Sequence, residues 1–190
     1  GMPWTETGLF KFYASALKIG IAVRGVRDLS ELQRTYEEHF GGLCRSLKND
    51  GFRVVFDEEL QARAVERQMS VRELVTLAAI IEKETGSVEE HPLVSAVFNN
   101  RLRLGMPLQS DPTVIFSLEQ DGLYDGNLTR DNLQHDSPYN TYRYSRLPPG
   151  PIAAPGGAAL RAALAPADVK YLYFVSRNDG THAFANTLQE

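Results

Sequence analysis

The chain has 190 residues, 43% of them hydrophobic and 23% charged, the balance of an ordinary globular protein long enough to bury a core. A formal charge of −4, with Lys and Arg scattered among acidic residues, argues against a general nucleic-acid surface. The single cysteine, Cys44, rules out an intramolecular disulfide and a thiolate metal site, and reads as a small helix residue.

No stretch is apolar and long enough to span a membrane, and there is no signal-peptide pattern. The opening Gly1-Met2 has the form of a remnant placed before a start codon. The chain is therefore read as a fragment whose missing signals say little about where the parent protein works.

Residues 1–28 carry an apolar and aromatic run from Phe10 to Val26, with Gly20 and Gly25, that fixes no element. Ser30 to Asn49 predicts a helix, because Leu32, Tyr36, Phe40, Leu43 and Leu47 recur at helical spacing. Gly41-Gly42 weaken its middle and Gly51 ends it. Phe52 to Phe56 predicts a short extended piece, after which Asp57 caps a helix through Arg67. Ser70-Val71-Arg72-Glu73 is a capping box before an apolar run, which predicts a helix from Val71 to about Thr85, stopped at Gly86. Pro92 suits the first turn of the next helix, which runs to Leu104 and stops at Gly105. Asp111 as cap and Pro112 as first helical residue predict a short helix toward Leu118.

From Gly122 to Gly157 the pattern predicts loops and extended pieces, including the Pro-rich run Leu147 to Pro151. Ala158 to Ala165 predicts a small helix ended by Pro166. Tyr171 to Ser176 and His182 to Ala185 flank Asn178-Asp179-Gly180 and predict a β-hairpin. Helices early and strands late give the fold class α+β.

The chemistry concentrates at the end of one helix. Leu74 to Ile81 is apolar except for Thr76, the composition of a buried helix, and Glu82, Lys83 and Glu84 follow directly. Burial raises a carboxyl pKa and so preserves the proton that a general acid needs near neutral pH. Two residues apart on a helix, Glu82 and Glu84 point about 200° away from each other and cannot act as a facing pair. Glu84 continues the line of Leu77, Ile80 and Ile81, and Glu82 that of Val75, Ala78 and Ala79. Periodicity does not choose between them, and both also fit the solvated end of a helix.

Asp111 is either a helix cap or a second carboxylate. Tyr139-Asn140-Thr141-Tyr142 alternates rings with polar groups, as an edge strand does and as a sugar site does. Leu147 to Pro151 fits a groove wall or a plain connector. The histidines at 39, 91, 135 and 182 have no metal-ligand spacing, and there is no phosphate loop or nucleophile elbow. Glu119 to Asp125 reads as a solvated loop, and Tyr171, Tyr173 and Phe174 as core and strand residues.

Three ordered blocks resemble the YceG-like (MltG) family of endolytic murein transglycosylases. They are Leu77 to Thr85; Val97 to Leu102 leading through Gly105 to Gln109 into Ser110 to Ile115; and Tyr139 to Tyr142 followed by Leu147 to Ile152 and Pro155-Gly156. Tyr171 to Val175, with His182 and Phe184, also fits. The resemblance covers about residues 70–188, which divides the chain into a helical N-terminal region, 1–69, and a catalytic domain, 70–190. Residues 1–55 match only loosely, and the family's N-terminal membrane helix and LysM-like subdomain are not in this sequence.

The resemblance implies that Glu84 is the catalytic residue, first acid and then base, in cleaving the MurNAc–GlcNAc bond to a 1,6-anhydro-MurNAc end. Gln109, Asp111, Thr113, Tyr139, Asn140 and Thr141 are the expected substrate-binding residues, and Glu82, Asn100 and Arg101 the expected supports. No cofactor or metal is expected. The expected partners are peptidoglycan strands and cell-wall synthesis proteins, with membrane attachment only through a missing anchor. The expected location is the cell envelope, on the extracytoplasmic side of the inner membrane. The alternatives are a non-catalytic glycan-binding scaffold module, a glycan hydrolase with Asp111 as second carboxylate, and an interaction domain that binds no glycan.

Overall fold

The computed structural model of the chain describes residues 58–189. The helix expected over Ser30 to Asn49, the extended piece Phe52 to Phe56, the cap Asp57 and Cys44 lie outside the described residues. Five helices come first: α1 (Glu58–Glu66), α2 (Val71–Glu84), α3 (His91–Arg103), α4 (Asp111–Gln120) and α5 (Gly157–Leu164). Two strands follow, β1 (Tyr173–Ser176) and β2 (His182–Ala185), giving the expected α+β class. Among the described residues no helix is long and apolar enough to cross a membrane.

Helix α2 is the centre of the packing. Its start is the expected capping box: the Glu73 N–H donates to Ser70 Oγ at 3.2 Å, and the Ser70 N–H donates to Glu73 Oε2 at 2.8 Å. Leu74, Leu77, Ala78, Ala79, Ile80 and Ile81 are then fully buried. Alanine on α2 meets the Ala-rich α5, whose Ala159, Leu160 and Ala163 are also buried, and small side chains on both surfaces let the two axes approach closely. Helix α3 adds Val94 and Phe98 to this core, and α1 adds Leu60 and Ala64.

Helix α3 ends as the sequence predicts, with Gly105 in the left-handed region (φ 68°) and the Met106 N–H returning to the Arg101 carbonyl at 2.9 Å. Helix α4 begins one residue earlier than expected. Ser110 occupies the cap position without a side-chain capping bond and Asp111 is already helical. The Asp111 carboxylate is engaged elsewhere, as acceptor of the Tyr142 hydroxyl.

The 122–156 stretch is turns and a short 3-10 segment, Asn132–Gln134, with no strand. Extended pieces were expected here, but side-chain bonds bend the chain instead. Asn140 donates to the Leu133 and His135 carbonyls at 3.0 and 2.7 Å and accepts the Tyr142 N–H at 2.9 Å. A fully buried amide that closes three such bonds holds a turn, so the alternating run 139–142 is not an edge strand.

The hairpin forms in the expected place, with Phe174 opposite Phe184 and Ser176 opposite His182. Asn178 (φ 61°) and Gly180 (φ 88°) supply the left-handed residues of the turn. Phe174 packs edge-on against Phe98 of α3, with centroids 5.9 Å apart, which seats the sheet on the helical core.

Removing the capping hydroxyl tests the anchoring of α2. Ser70→Ala should lower unfolding stability by about 1 kcal/mol, read from the midpoint of a urea titration at unchanged slope.

Candidate active site

Helix α2 ends at Glu84, and Thr85 leaves it in extended conformation (φ −141°, ψ 137°). The Glu84 side chain is only partly exposed, and its Oε1 is fully buried with no hydrogen-bond partner. Burial pushes its pKa up from the ordinary 4.5 to about 7. The Ser110 hydroxyl, His182 and Arg101 pull it down and Asp111 pushes it further up, none as strongly as burial. The Ser110 hydroxyl is near enough to favour the ionised form, yet the two groups do not meet in bonding geometry. Ser110 Oγ, like Glu84 Oε1, is buried and unpartnered.

Glu82 has a different role. Its Oε2 accepts the Gly156 N–H at 3.1 Å, at the cap of α5. A carboxylate there satisfies an open N–H and complements the helix dipole. A Cβ added at Gly156 would stand in ordinary contact with this carboxylate, 3.4 Å from Glu82 Oε2. The two glutamates therefore divide as their opposed directions require, Glu82 onto α5 and Glu84 toward Ser110 and Asp111.

Arg101 is 6% exposed and braces the site from α3. It donates to the carbonyls of Leu172 at 2.7 Å and Leu108 at 2.8 Å, and its guanidinium lies 5.2 Å from the Tyr173 ring centroid. Asn100 donates to the carbonyls of Val169 and Tyr171 at 3.0 and 3.1 Å. Both side chains replace the ladder bonds that this irregular stretch lacks, and both hold backbone.

The segment 109–113, which enters α4 at Asp111, approaches Glu84 through Ser110 and Asp111. Gln109 is exposed, sits in the left-handed region (φ 52°), and donates its backbone N–H to the Thr141 carbonyl at 3.1 Å. Asp111 is exposed at the start of α4 and accepts the Tyr142 hydroxyl. Burial, then the Asp111 bond and the charges of Asp111 and Glu84, push the Tyr142 pKa well above its ordinary value, so it stays a donor.

The remaining expected substrate residues are placed differently. Thr113, Asn140 and Thr141 are at most 1% exposed. Thr113 Oγ1 donates to the Ser110 carbonyl at 2.6 Å, and Thr141 Oγ1 accepts the Ser110 N–H at 3.0 Å. They clamp the backbone of Ser110 from both sides, while Asn140 holds its own turn. Tyr139 packs on Phe116, 4.9 Å between centroids, and feels the charge of Arg72 at the opposite end of α2. A cavity of about 720 Å³ also lies at that end, lined by Arg72, Thr76, Asn99, Arg146 and Pro149 among others, and does not reach Glu84.

The structure thus brings Glu84, Ser110, Asp111, Tyr142, Arg101 and His182 within electrostatic reach of one another. Ser110 and the Tyr142–Asp111 bond were not legible, because a serine before Asp-Pro reads as helix punctuation. Among the described residues no group of three His, Cys, Asp or Glu is placed to hold a metal ion.

A model of the YceG-like family matches residues 41–190. The endolytic murein transglycosylase of Bacillus subtilis (strain 168) is 38% identical over 133 residues, which cover 70% of this chain and 36% of that protein. The endolytic murein transglycosylase of Streptococcus pneumoniae (strain D39) is 33% identical over 134 residues, covering 65% of this chain and 23% of that protein. A 2.6 Å crystal structure of a yceG-like protein from Listeria monocytogenes superposes with a TM-score of 0.62 at 38% identity, covering 70% of this chain and 41% of that one. The chain spans well under half the length of the curated relatives it matches.

The raised pKa of Glu84 has a stability consequence. A carboxyl that prefers to be neutral in the folded state contributes fully below the unfolded value, 4.5, and that contribution is lost as pH rises through about 7. Glu84→Gln, which never ionises, should therefore match the parent near pH 4 and exceed it above pH 7 by on the order of 1–3 kcal/mol. Urea unfolding across that pH range reads the difference.

Proposed function

The chain belongs to the YceG-like family, and from that membership we propose that it carries the catalytic part of an endolytic lytic transglycosylase of peptidoglycan. The observation that carries this reading is the carboxyl of Glu84, half-hidden at the end of a buried helix with its pKa pushed up to about 7. A carboxyl poised there holds a proton to give and, having given it, is basic enough to take one back. The segment that contains it is similar to two proteins named endolytic murein transglycosylase.

In this reading protonated Glu84 donates to the glycosidic oxygen between MurNAc and GlcNAc. The bond from that oxygen to the MurNAc anomeric carbon breaks, its electron pair stays on oxygen, and positive charge builds at carbon. The Glu84 carboxylate then takes the proton of the MurNAc C6 hydroxyl, whose oxygen closes on the anomeric carbon. The products are a free GlcNAc hydroxyl and a 1,6-anhydro-MurNAc end. Glu84 regains its proton, and no water is consumed. Asp111 and the partly exposed Tyr142 interact electrostatically with Glu84, and the exposed Gln109 accepts from Arg101 at 3.4 Å; we assign these three to orienting sugar hydroxyls and acetamido groups. Arg101 and Asn100 hold the backbone that carries them. In this reading the protein works in the cell envelope, outside the inner membrane, among cell-wall synthesis proteins.

Asp111 motivates one second reading. Its charge acts on Glu84, and its carboxylate is open to solvent. A glycan hydrolase would use such a group to activate water. In the transglycosylase reading Asp111 instead keeps Glu84 protonated by like-charge repulsion.

Mass spectrometry of peptidoglycan digests separates these. The parent protein should yield anhydro-MurNAc ends, and Glu84→Gln should lower their rate by about 10²–10⁴-fold. Reducing ends in their place would sink the transglycosylase and favour the hydrolase; full activity in Glu84→Gln would remove Glu84 from the chemistry.

A further inference from the structure

The cavity at the far end of α2 takes no part in the reaction as described. Its volume, about 720 Å³, falls within the roughly 300–1,000 Å³ of small-ligand sites. Its lining is apolar at Leu102 of α3 and at Leu147 and Pro149 of the Pro-rich run. Leu147 also packs on the hydrophobic core, which ties that run to the helices. The Pro-rich run thus serves as a wall, the first of the two roles its composition allows.

The polar lining is unbalanced in charge. Arg72 of α2 and Arg146 are both exposed and both line the cavity. The Arg146 guanidinium lies 5.5 Å from the Tyr144 ring centroid, a contact that uses none of its N–H donors. Glu73, the one acidic residue of the lining, has its Oε2 occupied by the Ser70 N–H and hydroxyl at 2.8 and 2.6 Å. Thr76 also lines the cavity. It is 1% exposed, and its Oγ1 has no hydrogen-bond partner. A buried helical threonine ordinarily donates to a carbonyl one turn back, and Thr76 does not. Threonine in a helix has two accessible χ1 rotamers, so this hydroxyl can turn to a ligand with the helix in place. Arg72 and Thr76 are one turn apart and share a face of α2.

We propose that this cavity binds the C-terminal carboxylate of a short peptide with small apolar side chains. Arg72 and Arg146 take the carboxylate, the Thr76 hydroxyl adds a donor, and the apolar lining takes the side chains. A bare phosphate would leave the apolar lining unused, and a neutral sugar would leave both cations unused. The identity of the peptide rests on the transglycosylase reading, in which it is the stem peptide carried by MurNAc. Thr76 stands eight residues before Glu84, roughly 12 Å along α2, a distance that an extended chain of about four residues spans. The cavity then holds the strand by its peptide while Glu84 works on its sugar.

The test is an amide-shift NMR titration of the full chain with N-acetyl-Lys-D-Ala-D-Ala and with the same peptide amidated at its C-terminus. The acid should shift amides in 72–77 and 145–149, and the amidated peptide should bind about tenfold more weakly or worse. Arg146→Gln and Thr76→Val should each weaken the acid severalfold, with thermal unfolding to confirm that both variants are folded. No shifts at millimolar peptide, equal affinity for acid and amide, or unchanged affinity in either variant would overturn the proposal. Glu84→Gln should bind the peptide as the parent does, so the titration stands apart from the digest. Peptide binding without glycan cleavage removes the enzymatic reading and keeps the carboxylate site; cleavage without peptide binding removes the site alone.

Discussion

The constraint on which the structure turns is the burial of α2. A helix that is apolar on nearly all faces must be surrounded, and α5, α3 and α4 surround it. Its last residues then emerge where the core meets solvent, and a carboxyl placed there is partly stripped of water. Desolvation outweighs the Ser110 hydroxyl, His182 and Arg101, which favour the charged form of Glu84. The pKa near 7 is in this sense a by-product of packing that neighbouring charges trim. It also makes Glu84 a local weakness, because the folded state disfavours its ionised form.

The second theme is how loops are made stiff without a sheet. Only one two-stranded hairpin is present among the described residues. The segments 106–110 and 169–172, which border the site, hang on side-chain donors from α3. The Ser110 backbone is clamped between Thr113 and Thr141, and Asn140 closes the 133–142 turn. Each of these polar groups is satisfied, and all but the half-buried Asn100 are buried, the condition under which a polar network rigidifies a fold. Among the described residues Glu84 Oε1 and Ser110 Oγ are two of four buried side-chain polar atoms without a partner, the others being Thr76 Oγ1 and His91 Nδ1.

Much of the fold was legible. The capping box at Ser70, the Gly105 stop and the Asn178-Asp179-Gly180 turn act through neighbours in sequence, so local pattern carries them. The apolar run 74–81 announced a buried helix with glutamates at its end. The stretch 122–156 was read less well, since its turns are fixed by Asn140 reaching residues 133 and 135. The same limit explains the substrate residues. Thr113, Asn140 and Thr141 are polar in sequence and look outward-facing, but their partners are other parts of the chain.

By itself the sequence determined which helix is buried, that carboxylates end it, and which family the ordered motifs belong to, because periodicity and motif order are properties of the chain alone. It left Glu82 and Glu84 equivalent on physical grounds, and the resemblance chose between them. Only the tertiary structure decided the surroundings of each: Glu82 accepts from Gly156, 74 residues away, and Glu84 comes within electrostatic reach of Ser110, Asp111 and the hairpin residue His182. The reason is that a pKa and a hydrogen bond depend on what lies within a few ångströms in space. For a carboxyl at the end of a buried helix, those neighbours come from distant segments that only folding brings together.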